Sequence, residues 1–324
     1  MSAGDRLIIF GAQGGRAPID TVIEARGLRK TYGETVALGD LDLRVERGEV
    51  FGIVGPNGAG KTTTIDCIAG MRSRDGGSLS VLGMDPERRA NDLRRRIGLQ
   101  QQESELPERI RVSEALELFA TLFGTSPDTE RLLRNVGLES KATSYFSSLS
   151  GGQKRRLFVA LALVNDPELI LLDELTSGLD PRGRRQLWTL VEEARGAGRT
   201  VILSTHYMDE AEKLCDRVAI VHRGRTVAVD TPKALIARHC PGMRLRIGCG
   251  PGLKAATAES IEGVLSAEIR SDECVLALSG ADAVVPVIQA LFRAGAGLGD
   301  LHTEMPTLED VFMVTTGSEY DEVT

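Results

Sequence analysis

The sequence predicts an α/β fold followed by a smaller α+β unit, and three observations carry that prediction. The segments Glu49 to Val54, Leu169 to Leu172 and Val201 to Leu203 are short apolar runs without alternation, the pattern of parallel strands covered on both faces. The first of them leads into the glycine-rich turn Gly55-Pro56-Asn57-Gly58-Ala59-Gly60-Lys61-Thr62, behind which a helix is expected. After about Ala237, Pro241, Gly242, Gly248, Gly250, Pro251 and Gly252 crowd together and mark a change of unit.

The elements follow in order. Residues 1–20 are expected to be a flexible extension; Gly11, Gly14 and Gly15 imitate a nucleotide-binding turn but lack a lysine and a following helix. Val22 to Ala25 and the alternating Leu41 to Val45 read as strands. A helix is expected from Thr62 to Gly70, with the glycine as its stop. Between Gln102 and Leu149 the texture turns helical. Ser113 is placed as the cap of a helix carrying Leu116, Phe119, Leu122 and Phe123, and a second helix runs from Asp128 to Val136 before Gly137. Beyond the boundary at 237/238 the reading is a strand over Leu245–Cys249, a helix over Leu253–Val264, a hairpin around Asp272-Glu273, a helix over Ala281–Ala294 and a strand over Leu298–Thr303. That order is βαββαβ. Thr307 and Asp310 fit a capping box for a last helix, and residues 318–324 are an acidic tail.

Composition narrows the function. The chain has 324 residues and a net charge of -7, which argues against broad nucleic-acid binding, and no nucleic-acid partner is expected. The longest unbroken apolar run, Leu157 to Val164, is far below the roughly 18 residues needed to span a bilayer. Leu7 to Phe10 is too short for the core of a secretory signal. A cytoplasmic chain is expected, with any membrane role supplied by a partner. The five cysteines, Cys67, Cys215, Cys240, Cys249 and Cys274, lack C-x-x-C spacing and are expected reduced.

The chemistry concentrates in a few segments. Glycines at 55, 58 and 60 let backbone N–H groups turn inward around phosphates, and the helix behind Lys61 adds the positive end of its dipole. Lys61 is expected on the β- and γ-phosphates and Thr62 on Mg²⁺, with Thr63 beside it among the nucleotide-binding residues. Leu169 to Leu172 delivers Asp173 and Glu174 to the C-terminal end of a strand, where α/β sheets place their sites. Asp173 would hold Mg²⁺ through water, and Glu174 would orient the attacking water. Ser150-Gly151-Gly152-Gln153 reads as a helix start. Two glycines there cost roughly 1 kcal/mol each inside a helix, so they suggest a backbone that something must touch.

From Thr21 to about Ala237 these motifs, in this order, resemble an ABC transporter ATPase. The resemblance implies a RecA-like P-loop core, an antiparallel β subdomain and a helical subdomain at about 103–150, with a small α+β domain appended. It implies that Tyr32 stacks on adenine and that Gln102 senses Mg²⁺ and water at the hinge to the helical subdomain. It also implies that Ser177-Gly178-Leu179-Asp180 touches the opposite subunit and that His206 contacts the γ-phosphate. The chain departs from the family at Leu175, where proline usually follows the glutamate, and at Gln101, where proline often precedes the hinge glutamine. Ser204 to Val218 and Pro306-Thr307-Leu308-Glu309-Asp310-Val311-Phe312 resemble the bacterial drug-resistance branch, in which ATPase and membrane subunit are separate chains. The expected protein is the ATP-hydrolysing subunit of an exporter of hydrophobic small molecules or antibiotics. It would work as a homodimer on the cytoplasmic face of the plasma membrane, with ATP and Mg²⁺. Export of polysaccharide, lipid or ions, a soluble ATPase acting on DNA or ribosomes, and a regulatory module without turnover are the alternatives. The absence of a second cassette, and the presence of Glu174 and His206, weigh against the last two.

Overall fold

Two long strands, β1 (Thr21–Tyr32) and β2 (Thr35–Glu46), form an antiparallel hairpin turned at Gly33. The computed structural model describes residues 20–102, 104–249, 255–270, 273–294 and 298–317. The expected N-terminal extension (but for Asp20) and acidic tail lie outside them. After the hairpin come the wholly buried β3 (Val50–Val54), the helix α1 (Lys61–Ile68) and β4 (Gly76–Val81), which pairs with β1 to complete a sheet ordered β2-β1-β4. The expected helix from Thr62 to Gly70 thus starts at Lys61 and closes at Ile68. Gly70 has turned to φ +66°, and a side chain there would press within 2.8 Å of the Pro86 carbonyl.

A short α2 (Ala90–Arg94) leads to β5 (Ile97–Gln100). The helical segment then supplies α3 (Val112–Phe123), α4 (Thr129–Asn135) and α5 (Gly151–Ala162). Ser113 does not cap α3, contrary to expectation. Arg111 holds that place because its N–H is taken by the Glu114 carboxylate at 2.9 Å, which starts the helix at Val112, ahead of Ser113, and leaves Ser113 in the first turn. Asp128 caps α4 by accepting the Arg131 N–H at 2.9 Å.

The remaining elements of this unit are β6 (Leu169–Asp173), α6 (Pro181–Gly196), β7 (Thr200–Thr205), α7 (Met208–Leu214), β8 (Arg217–His222) and β9 (Arg225–Asp230). They build a six-stranded sheet ordered β5-β6-β7-β3-β8-β9, parallel except for the last pair. Every residue of β3, β6 and β7 is buried, which is why these strands read as unbroken apolar runs. One hydrophobic core joins the two sheets: Ile23, Leu41 and Leu79 share it with Phe51, Ile65, Leu171 and Ile202. Burying a side chain of this size stabilises by about 1.5–3 kcal/mol.

The chain divides into two units between Thr231 and Pro232. The break falls earlier than the expected 237/238 because α8 (Pro232–His239) packs against the last helix of the chain. The second unit continues with β10 (Met243–Cys249), α9 (Ala255–Glu259), β11 (Val264–Arg270), β12 (Glu273–Leu278), α10 (Val284–Arg293), β13 (Leu298–Glu304) and α11 (Leu308–Thr316). Its sheet is antiparallel and ordered β11-β12-β10-β13. The element order is βαββαβ. The helix expected over 253–264 is shorter, since Gly263 at φ +93° turns the chain so that Val264 opens a strand. The core here is small, built on Leu245, Ile247, Leu276, Val287 and Leu291. The Thr307 N–H donates to the Asp310 carboxylate at 2.8 Å at the start of α11, as the capping box requires. Among the described residues Cys67, Cys215 and Cys240 are free thiols, and no helix is long and apolar enough to cross a membrane.

Candidate active site

The strand order assembles the site. β5, β6, β7 and β3 run parallel as neighbours, so whatever follows their C-terminal ends must meet there. Gln102 follows β5, Asp173 ends β6 and Glu174 follows it, His206 follows β7, and the glycine-rich loop follows β3.

Gly55 and Gly60 adopt φ +159° and +104° in that loop. A Cβ at Gly55 would lie 2.2 Å from the Val221 carbonyl oxygen, and one at Gly60 would lie 2.7 Å from that of Ala37. Only glycine fits either place. Pro56, Asn57, Gly58 and Ala59 make the turn between them, with the Ala59 N–H donating to the Pro56 carbonyl at 3.2 Å. Lys61 opens α1 and is only 4% exposed. Its ammonium donates to the carbonyls of Gly55 at 2.9 Å and Pro56 at 3.1 Å, and lies 3.4 Å from Glu174 Oε1. Burial lowers the pKa of this ammonium, and the negative charges of Glu174 and Asp173 oppose the shift. Thr62 and Thr63 sit in the same first turn, where Thr62 is exposed and Thr63 half-buried.

Asp173 is buried, and burial pushes its carboxyl above the usual range while the hydroxyls of Ser204 and Thr62 pull it back. Ser204 Oγ donates to Asp173 Oδ1 and accepts the Glu174 N–H at 3.0 Å. That N–H also reaches the Ser204 carbonyl at 3.1 Å. Glu174 itself stands at φ +47°, a left-handed conformation costly for a residue with a Cβ. Its carboxylate receives Gln102 Nε2 at 3.1 Å on Oε2. His206 Nδ1 lies 3.3 Å from Oε1, within ion-pair range but out of line for a full hydrogen bond. The His206 contact is the largest influence holding this carboxyl below its ordinary range, burial works against it, and Lys61 adds to it.

The structure therefore brings Lys61, Gln102, Glu174 and His206 into one cluster, with Asp173 beside it. It groups the other expected residues elsewhere. Ser150 caps α5 by accepting the Gln153 N–H at 3.3 Å, and Gln153 Oε1 accepts the Ser150 N–H at 2.9 Å. Asp180 caps α6 by accepting the Gly183 N–H at 2.7 Å. Ser150, Gly152, Leu179 and Asp180 line one cavity of about 390 Å³ together with Arg156 and Arg182. Among the described residues no hydrogen bond joins Ser150 or Asp180 to the Lys61–Glu174 cluster. Tyr32 ends β1 with 43% of its surface exposed, and the Lys30 ammonium stands 5.6 Å from its ring centroid.

Two side chains at the site escaped sequence reasoning. Ser204 sits inside an apolar strand, and only the pairing of β6 with β7, which sets it opposite Asp173, gives it meaning. Arg155 lies in a basic run that reads as solvated surface, yet its Nη1 donates to the Gln102 carbonyl at 2.9 Å.

Comparison with known proteins identifies the family and agrees with the fold. The family model for "ABC transporter" matches residues 38–177. The Nod factor export ATP-binding protein I of Cupriavidus pinatubonensis is 37% identical over 313 residues, 93% of this chain and 92% of the relative. A daunorubicin resistance ATP-binding protein of Streptomyces coeruleorubidus is 37% identical over 308 residues, 93% and 97% of the two chains. Among solved structures, an ATP-binding subunit of an ABC transporter superposes with a TM-score of 0.62 at 31% identity, covering 67% of this chain and 93% of that one. A dimeric ATP-binding cassette in a post-hydrolysis state, bound to ADP and phosphate, gives 0.58 at 27% identity, covering 64% and 98%. With a phosphate loop, a buried carboxylate pair and a facing histidine arranged on the sheet those proteins share, this chain belongs to the ABC transporter family and is an ATP-binding, ATP-hydrolysing subunit of it.

Proposed function

We propose that this chain powers export of a hydrophobic small molecule, antibiotics included, by hydrolysing ATP between two copies of itself beneath a separate membrane-spanning subunit. The export names of its relatives support the direction of transport, and the daunorubicin-resistance relative supports the class of cargo. One observation carries the two-copy arrangement: a single chain bears both the Lys61–Glu174 cluster and a helix start at Ser150 whose glycines its own packing does not require. Nothing lies within 4 Å of a Cβ added at Gly151, and one at Gly152 would meet only Leu179 Cδ2 at 3.4 Å. Glycine at a helix costs about 1 kcal/mol, and close approach to an anion on another molecule accounts for it.

The residues fit the reaction. The loop N–H groups and the start of α1 receive the phosphates, and Lys61 exchanges its carbonyl partners for phosphate oxygens. Glu174 stays ionised beside His206 and Lys61 and orients a water whose oxygen bonds to the γ-phosphorus as the bond to the bridging oxygen breaks. His206 meets the γ-phosphate from β7, and Tyr32 offers its exposed ring to adenine. Ser150, Gly151, Gly152 and Gln153 of one copy, with Asp180 nearby, complete the site of the other. Asp173, Thr62 and Gln102 present oxygen donors of the kind Mg²⁺ selects, and among the described residues the buried Asp173 carboxylate is held by hydroxyls rather than by an ion pair. Bound there, Mg²⁺ would neutralise charge developing on the β- and γ-phosphates.

The membrane subunit is a separate chain in this reading. A groove of about 490 Å³ beside the hinge supports such a contact. Leu99, Leu106, Phe119, Phe123, Phe158 and Leu161 give it an apolar lining suited to a short helix of the permease.

Glu174→Gln tests the proposal, because it keeps size and removes the charge that orients water. Gel filtration with ATP and Mg²⁺ should show a stable dimer that the wild-type chain lacks. With the membrane subunit present, the same substitution should abolish efflux of a hydrophobic dye. Wild-type turnover in the purified variant would remove Glu174 from the role given to it here.

A further inference from the structure

We infer that Arg155 is a positioning residue that ties the helix facing the second copy's ATP to the catalytic acid of its own chain. The inference rests on the two-copy reading for what α5 meets, but the tie itself lies within one chain. Arg155 sits one turn behind the Ser150 cap of α5. Its Nη1 donates to the Gln102 carbonyl at 2.9 Å, reaching a residue 53 positions earlier. The Gln102 side chain donates in turn to Glu174 Oε2 at 3.1 Å. Glu174 Oε1 then meets Lys61 at 3.4 Å and His206 at 3.3 Å. Three contacts thus run from α5 to the lysine of the phosphate loop, and a fourth branches to His206.

The tie has a purpose that the local structure explains. Gln102 lies two residues beyond the end of β5, past the last bond of the sheet, and its own surface is exposed. A residue so placed needs an outside clamp if its amide is to stay on a carboxylate. A guanidinium supplies one with a long stem, a planar fork and a permanent charge. The neighbouring Arg156 is turned the other way, donating to Gln186 of α6 at 3.2 Å, so the basic run is not one undifferentiated surface. Half-buried Arg155 also feels the charges of Glu174 and Asp173. When the Ser150 end of α5 engages the nucleotide of the other copy, Arg155 carries that displacement to the Gln102 backbone and so to the carboxylate that orients water. Each site thereby reports its occupancy to the other.

ATP turnover and affinity of the full-length chain test this. Arg155→Met, which keeps the stem and removes the donors, should lower kcat about tenfold while leaving KM for ATP within about twofold. Arg155→Lys, which keeps a charged donor, should recover most of that loss. The decisive measurement is a double-mutant cycle with Gln102→Ala. If Arg155 acts through the Gln102 amide, adding Arg155→Met to Gln102→Ala should cause almost no further fall. Wild-type turnover in Arg155→Met, or losses that multiply in the double variant, would overturn the inference. An ATP-driven dimer of Glu174→Gln together with multiplicative losses would refute the tie and leave the two-copy reading standing. Absence of that dimer with a closed cycle would do the reverse.

Discussion

At the scale of single residues, Glu174 illustrates how a departure from the family pattern is absorbed. Leu175 replaces the usual proline, and it is packed to 1% exposure in the core. What fixes Glu174 is its N–H, shared between the carbonyl and hydroxyl of Ser204, which holds the backbone at φ +47° without a ring behind it. Tyr32 poses the opposite case, an aromatic left exposed at a strand end. Base–aromatic stacking is worth about 1–3 kcal/mol, so Tyr32→Ala should weaken ATP binding about 5- to 150-fold with saturated turnover nearly unchanged. Calorimetry giving the wild-type Kd would show that the ring contributes no stacking. The residue types gathered at the candidate site stood out because lysine after glycines and acids after a buried strand have few other uses. Among the three consecutive glutamines, only the family resemblance singled out Gln102. Gln100 is buried in the last position of β5 and donates to the Gln101 carbonyl, whereas Gln102 alone reaches Glu174.

At the scale of elements, α5 carries the sharpest expectation. Alanine at position 151 meets no atom and suits a helix better than glycine, so Gly151→Ala should leave the melting temperature unchanged or raise it, by up to about 1 kcal/mol in stability. The same methyl should obstruct an anion approaching the helix start, and the ATP-driven dimer of the Glu174→Gln background should be lost. A dimer of undiminished yield would mean that no ligand touches this backbone. Strands β3, β6 and β7 were legible from composition because full burial removes polar residues from both faces. Helix ends were not. The start of α3 was decided by the reach of Glu114 to the Arg111 N–H, a side-chain choice that a serine nearby concealed. In the second unit the helix before β11 was overextended, because Ile261 and Val264 prolong its apolar spacing although Gly263 has already turned the chain.

At the scale of the whole molecule, every residue assigned to nucleotide lies before Pro232, in a unit with its own core. A chain ending at Thr231 should therefore bind ATP within about threefold of the full-length affinity and unfold in one cooperative transition. A soluble, folded truncation that binds no ATP would show that the second unit completes the site. The change of unit was visible in the clustered prolines and glycines, but they follow α8 rather than precede it. The alliance of α8 with α11 joins segments about 70 residues apart, and local composition holds no trace of it.

The sheet that ends in Tyr32 and the sheet that feeds the phosphate loop share one hydrophobic core. In the proposed reading, a base resting on that tyrosine and phosphates seated in that loop would be held by one packed body, with the span between them set by that core. The unit works as a gauge of fixed length. On that reading, a nucleotide too short to reach from ring to Glu174 would bind without presenting a terminal phosphate to the acid proposed to orient water. The scaffold would then measure the count of phosphates before any partner closes over it.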